Sequence, residues 1–529
     1  MKGITMRIGL GQVNPIIGDL EGNVEQCVAA VAAARRAGAD LVVLPELAIP
    51  GSPPRDILFD PSFAPAVAAA TADLAERTKD GPPVVVGTLA PAGRHPPHHP
   101  GLYNAAVLLK DGAAEMVAAK RLLPTHDVFC EPRWFVPGPA SDPINVAGHR
   151  IGILFGDDLD DEGRDESPAS ALSAAGAEIL ICLAASPYRR GGLDERLEAA
   201  RRPGWPLLYA NLCGGNDELI YDGRSFALDR SGAVLDHLAG FATDVRVVDL
   251  DGTALPGESP QTCQALRKCL ARGEGRWEAE LFQALVLGVR DFVRKNGLAH
   301  AWLGLSGGVD SALVATIAAE ALGPEQVSAV AIPSRYTDPR STAAAQALAA
   351  ALGISFHVVA LEQLHVAAEE ALSDLLIGGT TAENVQARLR ALILMSFVNH
   401  RGGVLLNTSN KTELALGYGT LYGDLAGMLS PIGDLTKPDV FALARWINTE
   451  RTVIPHFILH RPPSAELKPD QVDPFDYPVV APALERLVQE DRSNPILRRT
   501  EYKRWQGGVI LKVSARAFGT GRQVPITRK

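Results

Sequence analysis

A chain of 529 residues is longer than one hydrophobic core organises, so two domains of a few hundred residues each are expected. Hydrophobic residues at 47% and charged ones at 21% match ordinary globular domains and exclude a disordered or collagen-like polymer. A formal net charge of −10 argues against nonspecific binding of nucleic acid or an anionic membrane, because both need clustered excess Lys and Arg, so any phosphate-bearing ligand must be held by a local site.

The first fifteen residues, MKGITMRIGLGQVNP, reach a Gln-Val-Asn-Pro turn before a leader-type apolar run develops, and no stretch approaches the roughly 18 apolar residues of a membrane span. From Met6 to about Leu250, β-rich runs (RIGLGQVN, LVVLPEL, PVVVGTL, NAAVLLK, RIGILF, EILICLAAS, PLLYANL and VRVVDL) alternate with Ala-rich helical segments such as Asn23–Ala37. This pattern predicts a layered α/β domain with enough strands for two sheets. Cys27, Cys130, Cys182, Cys213, Cys263 and Cys269 form neither a C-x-x-C pair nor a zinc spacing, which fits a reducing cytoplasm. After residue 250 the rhythm gives way to Gly, Pro, Ser and charge, so a linker is expected over 251–274, between domains at 1–250 and 275–529.

The second domain repeats strand, Gly turn and helix: AWLGLS then DSALVATIAAEALG, VSAVAIPS then STAAAQALAAALG, SFHVVAL then a helix, and VLLNTS after AENVQARLRALILMSFVNHRG. Such spacing predicts parallel βαβ units whose ligands lie at the carboxyl ends of the strands. The strand AWLGL enters Ser306-Gly307-Gly308-Val309-Asp310-Ser311, with a helix expected from Ala312. Gly307 and Gly308 permit a turn whose N–H groups converge on a polyphosphate, Ser306 and Ser311 add hydroxyl donors, and Asp310 among phosphates implies a Mg²⁺ ion. The loop lacks the Lys of a Walker P-loop. The competing reading makes Asp310 and Ser311 an ordinary helix N-cap.

SGGVDS after a strand resembles the signature of the N-type ATP pyrophosphatases. Six further segments are similar to the NAD⁺ synthetases: IPSRYTD (Ile332–Asp338), ENVQARLR (Glu383–Arg390), NTSNKTELALGYGTLYGD (Asn407–Asp424), GDLTK (Gly433–Lys437), PPSAEL (Pro462–Leu467) and EYKRWQ (Glu501–Gln506). The nearest group carries an N-terminal nitrilase-like glutaminase, so the resemblance covers nearly the whole chain. It implies an α-β-β-α sandwich followed by a Rossmann-like parallel-sheet domain. It also implies ATP-dependent amidation of deamido-NAD⁺ through an acyl-adenylate. Glu413 would join Asp310 on Mg²⁺, Thr408 would meet ATP, Asn384 and Arg388 would contact deamido-NAD⁺, and Lys437 and Lys503 would bring positive charge to the reacting phosphates. Relatives are homo-oligomers, which implies at least a dimer.

Nitrilase-type amidases use a Glu base, a Lys and a Cys nucleophile. Glu46 in VVLPELAIPG and Lys120 in AAKRLLPTHDVFCEPRWFVPG match the first two, with further likeness in AASPYRRG (Ala184–Gly191) and GGNDELIYDGRSF (Gly214–Phe226). Where the family reads Cys-Glu-Asp-Leu-Trp, this chain has Gly156, Asp157, Asp158, Leu159 and Asp160. Glycine forms no thioester, so the glutaminase is expected to be dead and the nitrogen to come from ammonia, free or supplied by another protein. Three alternatives stand beside this reading: a displaced thiol such as Cys130 that keeps glutamine in use, a ligase acting on another acceptor, and a pseudoenzyme.

Overall fold

Runs that are apolar at every position, such as Leu41–Val43 and Ile179–Ala184, become central strands buried on both faces. The computed structural model describes residues 6–93, 95–159, 167–250, 277–375, 378–490 and 494–521. The linker expected over 251–274, together with Asp160, Cys263 and Cys269, lies outside the described residues. The chain divides into two compact units, Met1–Asn216 with Ile220–Glu274, and Asp217–Leu219 with Gly275–Lys529.

In the first unit β1 (Arg7–Gln12), β2 (Leu41–Val43), β3 (Val84–Pro91), β4 (Leu102–Lys110) and β5 (Ala113–Ala119) form one sheet. A second contains β6 (Ile144–Val146), β7 (His149–Phe155), β8 (Ile179–Ala184) and β9 (Leu207–Asn211). A ribbon, β10 (Cys213–Asn216) and β11 (Leu219–Asp222), precedes β12 (Phe226–Leu228), β13 (Val234–His237) and β14 (Asp244–Asp249). The sheet orders are β14-β1-β2-β3-β4-β5 and β13-β12-β9-β8-β7-β6. Ile8, Leu10, Val43 and Val85 of the first meet Ile153, Phe155, Ile181 and Leu183 of the second in one core. Helices α1 (Leu20–Arg36) and α2 (Phe63–Thr78) pack on the first sheet. On the second, α3 (Pro168–Ala174) and α4 (Gly192–Arg201) set Leu172 and Leu197 against Leu154, Leu180 and Cys182. The result is the α-β-β-α sandwich.

Strand β5 has no counterpart among the expected strands. Its sequence, AAEMVAA, is poor in β-branched residues, but Asp111 and Gly112 before it both take positive φ, 52° and 78°, and turn the chain back along β4.

In the second unit β15 (Ala301–Gly304), β16 (Val327–Ala331), β17 (Ser355–Val358) and β18 (Val404–Leu405) pair in parallel in the order β17-β16-β15-β18. The chain runs from β15 outward through β16 to β17 and then returns to the other side of β15. The carboxyl ends of β15 and β18 therefore flank a switch point, where parallel sheets open a ligand crevice. The helix Val309–Leu322, between β15 and β16, is buried nearly all round, as its largely apolar sequence, VDSALVATIAAEAL, requires. It starts three residues before the expected Ala312. Gly308, with extended backbone (φ −90°, ψ 160°), is its N-cap, and Ala312 N–H donates to Gly308 O at 3.1 Å. No helix among the described residues is long and apolar enough to cross a membrane.

Candidate functional site

Chemistry-bearing residues gather in two places, one in each unit. In the first, Glu46 follows the end of β2, and Gly87 on β3 makes room for it: a Cβ on Gly87 would lie 2.5 Å from Glu46 Cα. Lys120 directly follows β5. Its Nζ donates to Glu46 Oε1 at 2.9 Å and Glu131 Oε1 at 2.8 Å, and pairs with Asp157 Oδ2 at 2.6 Å. Asn104 on β4 donates to Glu46 Oε1 at 2.6 Å, and the Ala185 N–H donates to Glu46 Oε2 at 3.0 Å.

Gly156 begins the short 3₁₀ turn Gly156–Leu159 at the end of β7, a strand-to-turn elbow. The turn is anchored by Asp158, whose carboxylate accepts from the N–H groups of Phe155, Arg121 and Leu122. A Cβ on Gly156 would stand 3.3 Å from each of Ala184 Cβ, Ser186 Oγ and Tyr209 Oη, and the two hydroxyls are hydrogen-bonded at 2.6 Å.

Charge in this cluster is unbalanced. Burial opposes the Lys120 ammonium, yet Asp157, Glu131 and Glu46 together hold its pKa well above the ordinary value. Burial pushes Glu46 up, with Asp157 adding to the push and Lys120 opposing it. Burial likewise takes Glu131 to about 8, against the pull of Lys120, and Asp158 to about 6, against its backbone donors. One ammonium does not balance three carboxylates, so the cluster keeps a proton near neutral pH.

Of the candidate replacement thiols, Cys130 is exposed at the start of the turn Glu131–Arg133. Cys182 lies on the helix-covered face of β8, where burial drives its thiol pKa well above the ordinary value, and Cys213 is buried on β10. None of them occupies the elbow.

The second cluster lies at the switch point. Asp310, in the first turn of Val309–Leu322, does not cap that helix. Its Oδ1 accepts from Asn410 Nδ2 at 2.9 Å and its Oδ2 from Lys437 Nζ at 2.5 Å. Lys437 also donates to Glu413 Oε1 at 3.2 Å. Asn410 and Glu413 form a capping box at the start of the helix Lys411–Leu416, in which Glu413 Oε2 accepts from the Asn410 N–H at 3.1 Å. Lys437 opens the helix Lys437–Glu450 and lies against the Tyr477 ring, 5.3 Å from its centroid. Burial disfavours its charge, but Asp310 and Glu413 raise its pKa above the ordinary value. Burial also takes Glu413 to about 7.

The loop Ser306–Ser311 is tied internally. Ser311 Oγ donates to Gly308 O at 3.1 Å and is 3.2 Å from Ser306 Oγ, so the Ser311 hydroxyl shapes the loop from within. Gly307 has φ 82°, and a Cβ there would lie 2.4 Å from Ser341 O.

Beside this loop a cavity of about 240 Å³ is lined by Ser306, Thr408, Asn407, Ile332, Leu405 and Arg390, among others. Asn384 and Arg388 do not line it. Asn384 Oδ1 accepts from Thr420 Oγ1 at 2.7 Å, and Arg388 Nε donates to Leu421 O at 3.1 Å. The face of Gly379–Arg401 that does line it carries Ala387, Arg390, Ala391 and Leu394, one helical stripe at i, i+3, i+4 and i+7. Arg388 falls on the next stripe. Lys503 Nζ donates to the carbonyls of Gly417 and Gly419, both at 2.8 Å, and so holds the loop after Lys411–Leu416.

Reasoning from the sequence missed three residues: Glu131 and Asp157 as partners of Lys120, and Arg390 as the cavity's arginine. The helical stripe was the available signal for Arg390. For Glu131, eleven positions beyond Lys120 across a loop, no local signal existed.

A family model described as NAD synthase matches residues 281–514, and one described as carbon-nitrogen hydrolase matches residues 7–255. The glutamine-dependent NAD⁺ synthetase of Rhodobacter capsulatus is 40% identical over 99% of this chain and 98% of its own length. That of Synechocystis sp. is 38% identical over 98% of each. Among solved structures, the glutamine-dependent NAD⁺ synthetase of Acinetobacter baumannii, in complex with ADP, superposes with a TM-score of 0.77 at 29% identity, covering 99% of this chain and 98% of that one.

Proposed function

We infer the reaction from one premise, that this chain belongs to the glutamine-dependent NAD⁺ synthetases and is a carbon–nitrogen ligase. Its second unit amidates deamido-NAD⁺ at the expense of ATP. The nicotinate carboxylate attacks the α-phosphorus, pyrophosphate leaves, and ammonia opens the acyl-adenylate to give NAD⁺ and AMP.

The chain's own residues contribute binding and charge. The Ser306–Gly308 turn and the amino end of Val309–Leu322 receive the phosphates. Lys437, fixed at 2.5 Å from Asp310 and 3.2 Å from Glu413, holds its positive charge where negative charge develops on the leaving pyrophosphate. Asp310 and Glu413 converge on that one ammonium, and as hard oxygen donors they suit Mg²⁺, which they would hold. Bound there, Mg²⁺ neutralises phosphate charge. Thr408 lines the cavity that takes the nucleotide. Asn384 and Arg388 serve deamido-NAD⁺ on the neighbouring helix face, and Lys503 supports the site through the loop carbonyls it binds.

Ammonia, not glutamine, is the nitrogen source. The observation that carries this reading is Gly156 at the elbow beside Glu46 and Lys120, where an amidase needs its thiol. Two further features support it: all three donors of the Lys120 ammonium are engaged by Glu46, Glu131 and Asp157, leaving none for a tetrahedral oxyanion, and none of the described cysteines stands at the elbow. The first unit is a retained scaffold. The test is NAD⁺ formation by the purified chain with ATP, Mg²⁺ and deamido-NAD⁺, comparing ammonium with glutamine as sole nitrogen source. Turnover is expected with ammonium alone, and equal turnover with glutamine would overturn the reading.

A further inference from the structure

Arg390 is the cation of the nucleotide cavity, and its setting indicates which part of the nucleotide it meets. The residue lines the cavity at the carboxyl ends of β15, β16 and β18. Burial lowers its pKa to about 10, which leaves the guanidinium charged at neutral pH. Its Nε donates to Ile332 O at 3.1 Å, while the two terminal nitrogens make no hydrogen bond or ion pair among the described residues. The guanidinium is part-exposed to the cavity with its two terminal nitrogens idle, so they are available to an acceptor on an entering ligand.

Two kinds of acceptor are available on ATP, phosphate oxygens and ring nitrogens. The carboxylates of Glu466 and Asp424 act electrostatically on Arg390, and both line the same cavity. A phosphate placed on Arg390 would meet their repulsion, whereas an uncharged heterocycle would not. The surrounding walls, Leu305, Val330, Ile332, Leu394 and Leu405, are apolar and suit a flat ring. The phosphate-type donors are those of the Ser306 turn, which also lines the cavity.

We propose that Arg390 recognises the purine of ATP, donating from its terminal nitrogens to ring-nitrogen acceptors, and so fixes base specificity rather than phosphate charge. This rests on the cavity being the nucleotide site of the synthetase reaction.

The test is equilibrium binding to the full-length protein of adenosine and of inorganic pyrophosphate with Mg²⁺, in the parent, Arg390→Lys and Arg390→Met. Both variants are expected to bind adenosine at least tenfold more weakly, because an ammonium lacks the planar fork and a thioether has no donor, while pyrophosphate binding changes less than twofold. Unchanged adenosine binding, or pyrophosphate weakened as much as adenosine, would overturn the assignment. A probe of the parent covers the case in which the variants do not fold. One or more of 1-deaza-, 3-deaza- and 7-deazaadenosine should bind at least tenfold more weakly than adenosine, and equal binding of all three would refute a ring-nitrogen contact. A parent that binds neither adenosine nor ATP would overturn the nucleotide reading of the cavity itself. A parent that binds both, with variants indifferent to adenosine, would overturn only the role of Arg390.

Discussion

Replacing Lys120 with Met keeps most of the stem's volume and deletes the ammonium from among three carboxylates. Glu46 and Glu131 are left buried without their cation, while the Asp157 side chain, 38% exposed, can turn towards water. Removing one partner of a buried pair costs about 3–5 kcal/mol, and a pair as exposed as the one with Asp157 adds roughly 0–1. The first unit should therefore lose about 3–5 kcal/mol at pH 8. The sign of the pH dependence follows from Glu131. Its folded pKa, about 8, lies above the ordinary 4.5, so its contribution is fully present below 4.5 and is lost as pH rises through 8. Deleting Lys120 removes the charge that pulls the Glu131 pKa down, which enlarges the deficit in alkali and shrinks it towards pH 5, where Glu131 is neutral. Because the chain has two units, one global unfolding energy is ill-defined. The assay is hydrogen exchange of peptides from β4 and β5 across a urea series, parent against variant, at pH 5.5 and pH 8. Matching midpoints at pH 8, or a larger deficit at pH 5.5, would refute the reasoning.

Three further outcomes are expected. Gly156→Cys alone should leave NAD⁺ formation from glutamine at background, because Asp157 still holds the third donor of Lys120 and the new Cβ would stand 3.3 Å from three neighbours; a glutamine rate within tenfold of the ammonium rate would contradict this. Lys437→Met should reduce deamido-NAD⁺-dependent ATP–pyrophosphate exchange by on the order of a hundredfold, the scale of losing one preorganised charge-stabilising group. An unchanged exchange rate would remove Lys437 from the reaction. Gly307→Ala combines φ 82° with a 2.4 Å approach to Ser341 O, and should destabilise the second unit by about 2 kcal/mol or more and raise the KM for ATP. A stable variant with an unaltered KM would argue against the turn's rigidity.

Much of the architecture was legible because burial wrote it into the sequence: LVV, ILICLA and AWLG are apolar throughout and are central strands covered on both faces. β5 was not, since its half-exposed AAEMVAA has no hydrophobic alternation, although the Asp111-Gly112 turn before it was a readable signal. At the sites, the sequence motifs singled out Glu46 with Lys120 and Asp310 with Glu413 and Lys437, and the fold brings each set together. Arg388 and Arg390 show the limit of motif reading. They are two residues apart in one motif, but the helical rotation of about 200° between them puts only Arg390 on the cavity. Asp157 lies 37 positions from Lys120 and carries no local signal of the pairing, and only the folded elbow brings its carboxylate to 2.6 Å from Lys120.

Glu413 divides its two oxygens between tasks, one accepting from Lys437 and the other from the first N–H of its own helix cap. Mutation at 413 would therefore remove a helix start and a site carboxylate together, and selection for folding alone would help preserve the chemistry. Position 156 has no such tie, because Asp158 anchors the elbow whatever side chain stands two residues before it. The first unit can thus shed a reactive group and keep its shape, while the second cannot lose Glu413 without losing structure as well.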